Sequence, residues 1–288
     1  MRDLIFEPMP LDAKYKNYCS WDYTPLSSGT GKLRPSSLLF LALSDLPYRQ
    51  FLCQAIEQIQ SMHGLFESVY GIKRIGERWS LEVYVYDYER TSRTRSWNGL
   101  FGGKSGVLSS SLQVRESTPY FMFSFDLDEQ VASRGGSIDT AHLYIGNPGS
   151  MVSSGIAYRQ DASGLTLENF YFFFDARSQQ QEITDKMTES VFWDVKTQRI
   201  EELLLADLKE CDTICLANKP KCDTIYFSGI HIQQLIRFCE WQNYPQSFVE
   251  FLLANEFQLD HLKYDVGLDY CWKQGQLQCL KSGIYGAF

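Results

Sequence analysis

No stretch of this chain approaches the ~18 consecutive apolar residues of a membrane-crossing helix. Its opening, MRDLIFEPMPLD, lacks both an apolar signal core and a small-residue cleavage site. The expectation is a cytoplasmic protein with no membrane partner. Positive charge is also short: 27 Lys and Arg stand against 35 Asp and Glu, a net charge of -8. That balance argues against a nucleic-acid partner, whose phosphates need a basic stripe. Eight cysteines occur, but no C-x-x-C pair, and the four histidines (His63, His142, His231, His261) are scattered. No zinc site is therefore expected, and most thiols are expected reduced, as small core fillers. The segment NGLFGGKS falls short of a phosphate-binding loop, because Asn98 stands where the spacing needs glycine and no buried strand feeds it.

What the chain has in quantity is aromatic side chains, 15% of its residues, with 17 Tyr and 19 Phe. They fall in alternating segments. In SLEVYVYDYE, residues 80 to 89, Leu81, Val83 and Val85 take one face of a strand, and Glu82, Tyr84, Tyr86 and Tyr88 take the other. The same split recurs in DTAHLYIG (Thr140, His142, Tyr144 on one face) and CDTIYFSG (Thr224, Tyr226, Ser228). It recurs again in CDTICLANK (Cys215, Ala217, Lys219) and in PYFMFSFD, where Tyr120, Met122, Ser124 and Asp126 oppose an all-Phe face.

Between these strands the pattern predicts helices. Ser44, Asp45 and Pro47 signal a helix start, and Leu52, Ala55, Ile56 and Ile59 continue it at helical spacing. SSLLFLAL before it reads as a buried strand. Residues 90 to 110 read as a mobile basic loop, residues 182 to 209 as helical, and 231 to 260 as helices broken at Pro245. Hairpins are expected at Gly76-Glu77, around Asn218-Lys219-Pro220, and at Gln274-Gly275. About ten strands result, in pairs separated by helices, with no composition break to mark a linker. This is an α+β protein with one antiparallel sheet in one domain, residues 1 to 288.

A wet sheet face is rich in Lys and Thr but poor in Tyr, whereas a core face does not hold Lys and Asp unpaired. A barrel interior that houses a ligand accommodates the observed mixture of phenols, hydroxyls and a few charges. The alternative is an open sheet with a solvated face and incidental tyrosines.

Several stretches carry a resemblance. CSWDYTPLSSGTGKLRPSSLLFLAL (19 to 43) is similar, through Cys19, Ser20, Lys32, Leu33 and Ser36, to the N-terminal stretch of the peptide prenyltransferases of cyanobactin biosynthesis, with Asp22 where that family has an essential glutamate. SSGIAYRQDASGLTLENFYFFFDARSQ, CDTIYFSGIHIQQLIRF and YDVGLDY with GIYGAF resemble later stretches of the same family, in the same order. The resemblance implies the αββα prenyltransferase barrel: ten antiparallel strands surrounded by helices. It implies transfer of a dimethylallyl or geranyl group from an allylic diphosphate, accompanied by Mg2+, to a peptide or small aromatic acceptor. Two departures stand out. LENFYFFF has no cation where the family strand supplies Lys and His, and Ser37 replaces an Arg.

Such chemistry needs cations for the leaving diphosphate, aromatic faces around the allylic cation, and a carboxylate near the acceptor's proton. For the diphosphate the candidates are Arg34, Lys73, Lys219 and Lys281, with hydroxyls from Tyr226 and Tyr285 and with Lys263 in reserve. For the prenyl and acceptor pocket they are Tyr84, Tyr86, Tyr144, Tyr171 and His142. For catalysis they are Asp22, from the resemblance, and Glu82, a carboxylate among tyrosines. Asp265 and Asp269 of DVGLD read as strand and turn residues. The rival function is a non-catalytic barrel that binds an apolar ligand or peptide.

Overall fold

A computed structural model describes residues 2–10, 24–103, 106–147, 153–193, 199–205 and 207–288. Ten strands close into an antiparallel barrel: β1 (Val69–Ile75), β2 (Arg78–Tyr86), β3 (Met122–Leu127), β4 (Ala141–Gly146), β5 (Ser153–Asp161), β6 (Gly164–Asp175), β7 (Thr213–Asn218), β8 (Asp223–Ile230), β9 (Tyr264–Lys273) and β10 (Gln276–Ala287). Each strand pairs with its sequence neighbours, and β10 returns to β1 with Val69 opposite Ala287 and Arg74 opposite Ser282. No edge of this sheet is left open, so the backbone pairing needs no protective device.

The strands split as their alternation requires. Leu81 and Val83 of β2, Phe123 and Phe125 of β3, Ile225 and Phe227 of β8, and Val266 and Leu268 of β9 point outward and are fully buried. Among the described residues the α-helices are α1 (Arg2–Ile5), α2 (Ser36–Leu43), α3 (Arg49–His63), α4 (Trp97–Phe101), α5 (Glu129–Ser133), α6 (Gln180–Thr188), α7 (Ile232–Trp241), α8 (Gln246–Ala254) and α9 (Glu256–Leu259), and α2, α3, α7 and α8 are among those that cover the outward side chains. Helix α3 sends Leu52, Ala55, Ile56 and Ile59 into this layer along one stripe. Each large apolar side chain so buried is worth roughly 1.5–3 kcal/mol. The hydrophobic core is therefore the shell between barrel and helices, and the lumen is left for other side chains.

Three expectations are corrected. SSLLFLAL is the helix α2, not a strand: Pro35 precedes it, and nearly every residue of it is buried, so no polar face marks its period. Of the helical stretch expected after β6, the described residues hold an α-helix at Gln180–Thr188 and a short 3-10 turn at Ile200–Glu202. The segment after β2, expected as a loop, holds among its described residues a 3-10 turn at Arg90–Ser92 and a helix at Trp97–Phe101. Trp97 is fully buried against Phe101, Phe123 and Phe125, and Arg93 pairs with Glu116 at 2.8 Å while lying over the Tyr120 ring. Tyr120 accordingly sits outside the barrel, donating to Glu116 at 2.6 Å, and β3 begins only at Met122.

Candidate functional site

The barrel lumen is a cavity of about 640 Å³. The hairpin turns at 76–77, 162–163, 219–222 and 274–275 lie at one end of it, with the 128–140 connection, and the long connections 87–121, 176–212 and 231–263 lie at the other. Side chains of every strand reach it, and its character changes along the axis.

Around its middle runs a belt of tyrosines. Tyr84 of β2 lies 5.9 Å from Tyr285 of β10, which lies 5.9 Å from Tyr226 of β8; Tyr171 of β6 follows at 6.4 Å and Tyr144 of β4 at 5.8 Å, centroid to centroid. Hydrogen bonds close the ring. Tyr84 Oη donates to Glu82 Oε2 at 2.6 Å, Ser124 donates to the other oxygen of Glu82, and Ser124 meets the Tyr144 hydroxyl at 3.3 Å. Burial, with the negative charge of Glu82, raises the Tyr84 phenol well above its ordinary pKa, so it stays a neutral donor.

Glycines set the posture of these rings. Gly267 of β9 faces the Tyr226 ring, where a Cβ would come within 2.6 Å of a ring carbon; a Cβ on Gly71 of β1 would meet Tyr285 at 2.8 Å. Lacking side chains, the inward positions of β9 and β1 let the neighbouring rings lie along the wall and present their faces to the lumen.

Towards the hairpin end the wall is charged. Lys73 of β1 pairs with Glu82 and, at 3.1 Å, with Asp126 of β3. Lys219, at the end of β7, and Lys281 of β10 share one carboxylate, Asp269 of β9, at 2.8 and 3.1 Å; Thr224 also donates to Asp269, at 2.7 Å. The lysines differ in consequence. Burial disfavours the charge of Lys73, but its two carboxylates outweigh this and raise its pKa. Lys281 has half a counter-ion: burial, then Lys73 and Lys219, lower its pKa. Glu82 shows the reciprocal effect, since burial pushes its pKa up but Lys73 holds it far below the usual carboxylate range.

A bulge builds the remaining corner. Ala157 of β5 pairs with Asn169 of β6 but Tyr158 pairs with Leu167, so Glu168 is an extra residue. The alternation slips there, and Glu168 and Asn169 both line the lumen. Asn169 donates to the Tyr171 hydroxyl at 3.1 Å, and Glu168 Oε2 lies 2.7 Å from His142 Nδ1. Burial opposes protonation of His142, but Glu168 and then Glu82 raise its pKa above the ordinary 6.5.

Of the residues selected from sequence, Lys73, Glu82, Tyr84, Tyr86, His142, Tyr144, Tyr171, Lys219, Tyr226, Lys281 and Tyr285 line this one cavity. Arg34 does not: it pairs with Glu7 at 2.9 Å and donates to the Pro8 carbonyl. Lys263 pairs with Asp212. Asp22 lies outside the described residues. Asp265 and Asp269, expected as strand and turn residues, both lie in strand β9 and line the lumen. Asp126, Glu168 and Asn169 went unselected; the bulge hides the last two, whereas Asp126 was legible in its own alternation.

The carboxylates beside the lysines do not form a Mg2+ site. Both oxygens of Asp269 are held by Lys219, Lys281 and Thr224, and both of Glu82 by Lys73, Tyr84 and Ser124. Among the described residues no group of three or more His, Cys, Asp or Glu is arranged to hold a metal. No helix of the described residues is long and apolar enough to cross a membrane. Scanned against models of known protein families, the chain matches none, and a search of curated proteins finds no match.

Proposed function

We propose that the barrel transfers a prenyl group, dimethylallyl or geranyl, from an allylic diphosphate to a peptide or small aromatic acceptor. The observation that carries this reading is the meeting, in one cavity, of three lysines with a belt of five tyrosine faces. In this reading Lys73, Lys219 and Lys281 bind the diphosphate. The allylic C–O bond breaks, its electron pair leaves with the diphosphate, and the lysines stabilise the charge that develops there. Lys281, the lysine with least compensation, has most to gain from an arriving anion.

The allylic cation forms against the tyrosine belt. A desolvated cation over such a ring gains about 2 kcal/mol or more, and the enclosed wall keeps water from quenching it. The acceptor enters past Tyr86, Tyr88 and Phe121 at the opposite end and bonds to the cation. Glu82, held by Lys73 and two hydroxyls, is a weak base in this setting; its role is to fix Lys73 and close the belt.

One observation favours the non-catalytic alternative: Lys73, Lys219 and Lys281 each already have a carboxylate partner. The two readings separate in one experiment. The protein is mixed with dimethylallyl or geranyl diphosphate and a panel of Trp, Tyr, Arg and His peptides, then followed by mass spectrometry. Enzymatic transfer gives a peptide heavier by one prenyl unit together with free diphosphate. Saturable binding of geraniol and geranyl diphosphate alike, with no product, overturns the enzymatic reading in favour of a binding barrel.

A further inference from the structure

One lumen group has a partner arrangement that charge neutralisation does not require. His142 stands on β4 opposite Arg159 of β5, and its imidazole meets Glu168, the residue that the β6 bulge turns inward. A hydrogen bond of 2.7 Å from Nδ1 to a carboxylate fixes the tautomer: Nδ1 carries the proton and donates it, and Nε2 is left as the basic nitrogen. His142 lines the main lumen beside Tyr144 and also a second cavity of about 270 Å³, shared with Asp126, Thr140 and Arg159. The imidazole thus borders both the reacting volume and a separate polar chamber. The charged groups around it are Glu168 on β6, Glu82 on β2, Asp126 on β3 and Arg159 on β5, with Lys219 acting on Glu168 from β7. Three carboxylates against that setting favour the imidazolium once it forms.

Resting on the prenyl-transfer reading, we propose that His142, held by Glu168, is the base that takes the acceptor's proton, and that the acceptor presents an O–H or N–H nucleophile to this side of the belt. As the nucleophile bonds to the allylic carbon, its proton passes to His142 Nε2, while the C–O electron pair departs with the diphosphate. Glu168 stays ionised and stabilises the imidazolium. The proton then leaves through the second cavity, which restores the neutral ring. Glu168 is a positioning residue and His142 the catalytic one.

The test is the pH dependence of kcat and KM for the wild-type protein, His142→Gln, Glu168→Gln and Glu168→Asp, with folding checked by circular dichroism and donor binding by calorimetry. Because the pKa of His142 lies above its ordinary value, wild-type kcat should rise with pH through a midpoint above 6.5. His142→Gln should lower kcat by about 10²–10⁴-fold, leave KM within about threefold and abolish that midpoint. Glu168→Gln should shift the midpoint to lower pH, and Glu168→Asp should return it part-way. Should His142→Gln fail to fold, the midpoint in Glu168→Gln decides the matter. Wild-type product with an unchanged midpoint in the variants overturns the dyad alone. Absence of any wild-type product overturns the prenyl-transfer reading and the dyad with it.

Discussion

Two arcs of the same barrel wall solve opposite problems. Along β8, β9, β10 and β1 the alternation is strict where the belt sits, and inward glycines at 71, 267 and 283 lie beside the inward tyrosines. Along β4, β5 and β6 the alternation breaks at an inserted residue, and His142, Glu168 and Asn169 crowd together. The first arc makes room by leaving side chains out. The second brings polar groups together by adding one. A closed sheet tolerates both because its backbone pairing is completed by neighbours on either side, so a local change in register does not open an edge.

The comparison breaks most visibly if the regular arc loses its charges. Removing both lysines that share Asp269, as Lys219→Ala with Lys281→Ala, should reduce kcat/KM for transfer roughly 10³-fold, as expected for deleting donors that meet a leaving anion. Adding Asp269→Asn should recover folding stability but not rate, because it relieves a buried, uncompensated carboxylate worth about 3–5 kcal/mol. Initial rates and urea midpoints on the same samples separate the two effects.

Filling the space tests the other property of that arc. Gly267→Val puts carbon where the Tyr226 ring lies and should cost about 1–3 kcal/mol by thermal denaturation, with prenyl diphosphate binding weakened in calorimetry.

Acid should act through the lysine-paired carboxylates of the lumen, Glu82 and Asp269. Burial raises the pKa of Asp269, but Lys219 and Lys281 outweigh burial and bring the pKa below its ordinary 3.8. A carboxylate depressed in the folded state contributes stability above its unfolded pKa and loses it as pH falls through the folded one. Unfolding measured below about pH 4 should thus show a steep acid limb that Asp269→Asn flattens. The smallest effect belongs to Arg34→Ala. It removes a peripheral ion pair worth about 0–1 kcal/mol and should leave transfer rates unchanged; a tenfold loss of rate would place a cation site outside the lumen.

The barrel was legible because its strands obey a period of two with apolar residues on one side, and Tyr84, Tyr144, Tyr226 and Lys219 fall where that period puts them. Helix α2 was not legible, because eight almost uniformly buried residues carry no period of either kind. Glu168 was hidden for a different physical reason. Its side depends on a pairing slip between β5 and β6, and a slip is a property of two strands, invisible in either one. Asp269 was legible in type but not in role, since its worth comes from lysines on two other strands.

β1 and β10 lie side by side at the barrel's seam although more than two-thirds of the chain separates them, and Tyr84 and Tyr285 meet at 5.9 Å beside that seam. Lys73 and Lys281 also face each other near it, close enough for one charge to act on the other. A nascent chain therefore possesses almost all of its wall before it can enclose a lumen. Until the final ribbon docks, there is only an unfinished cylinder with two raw borders.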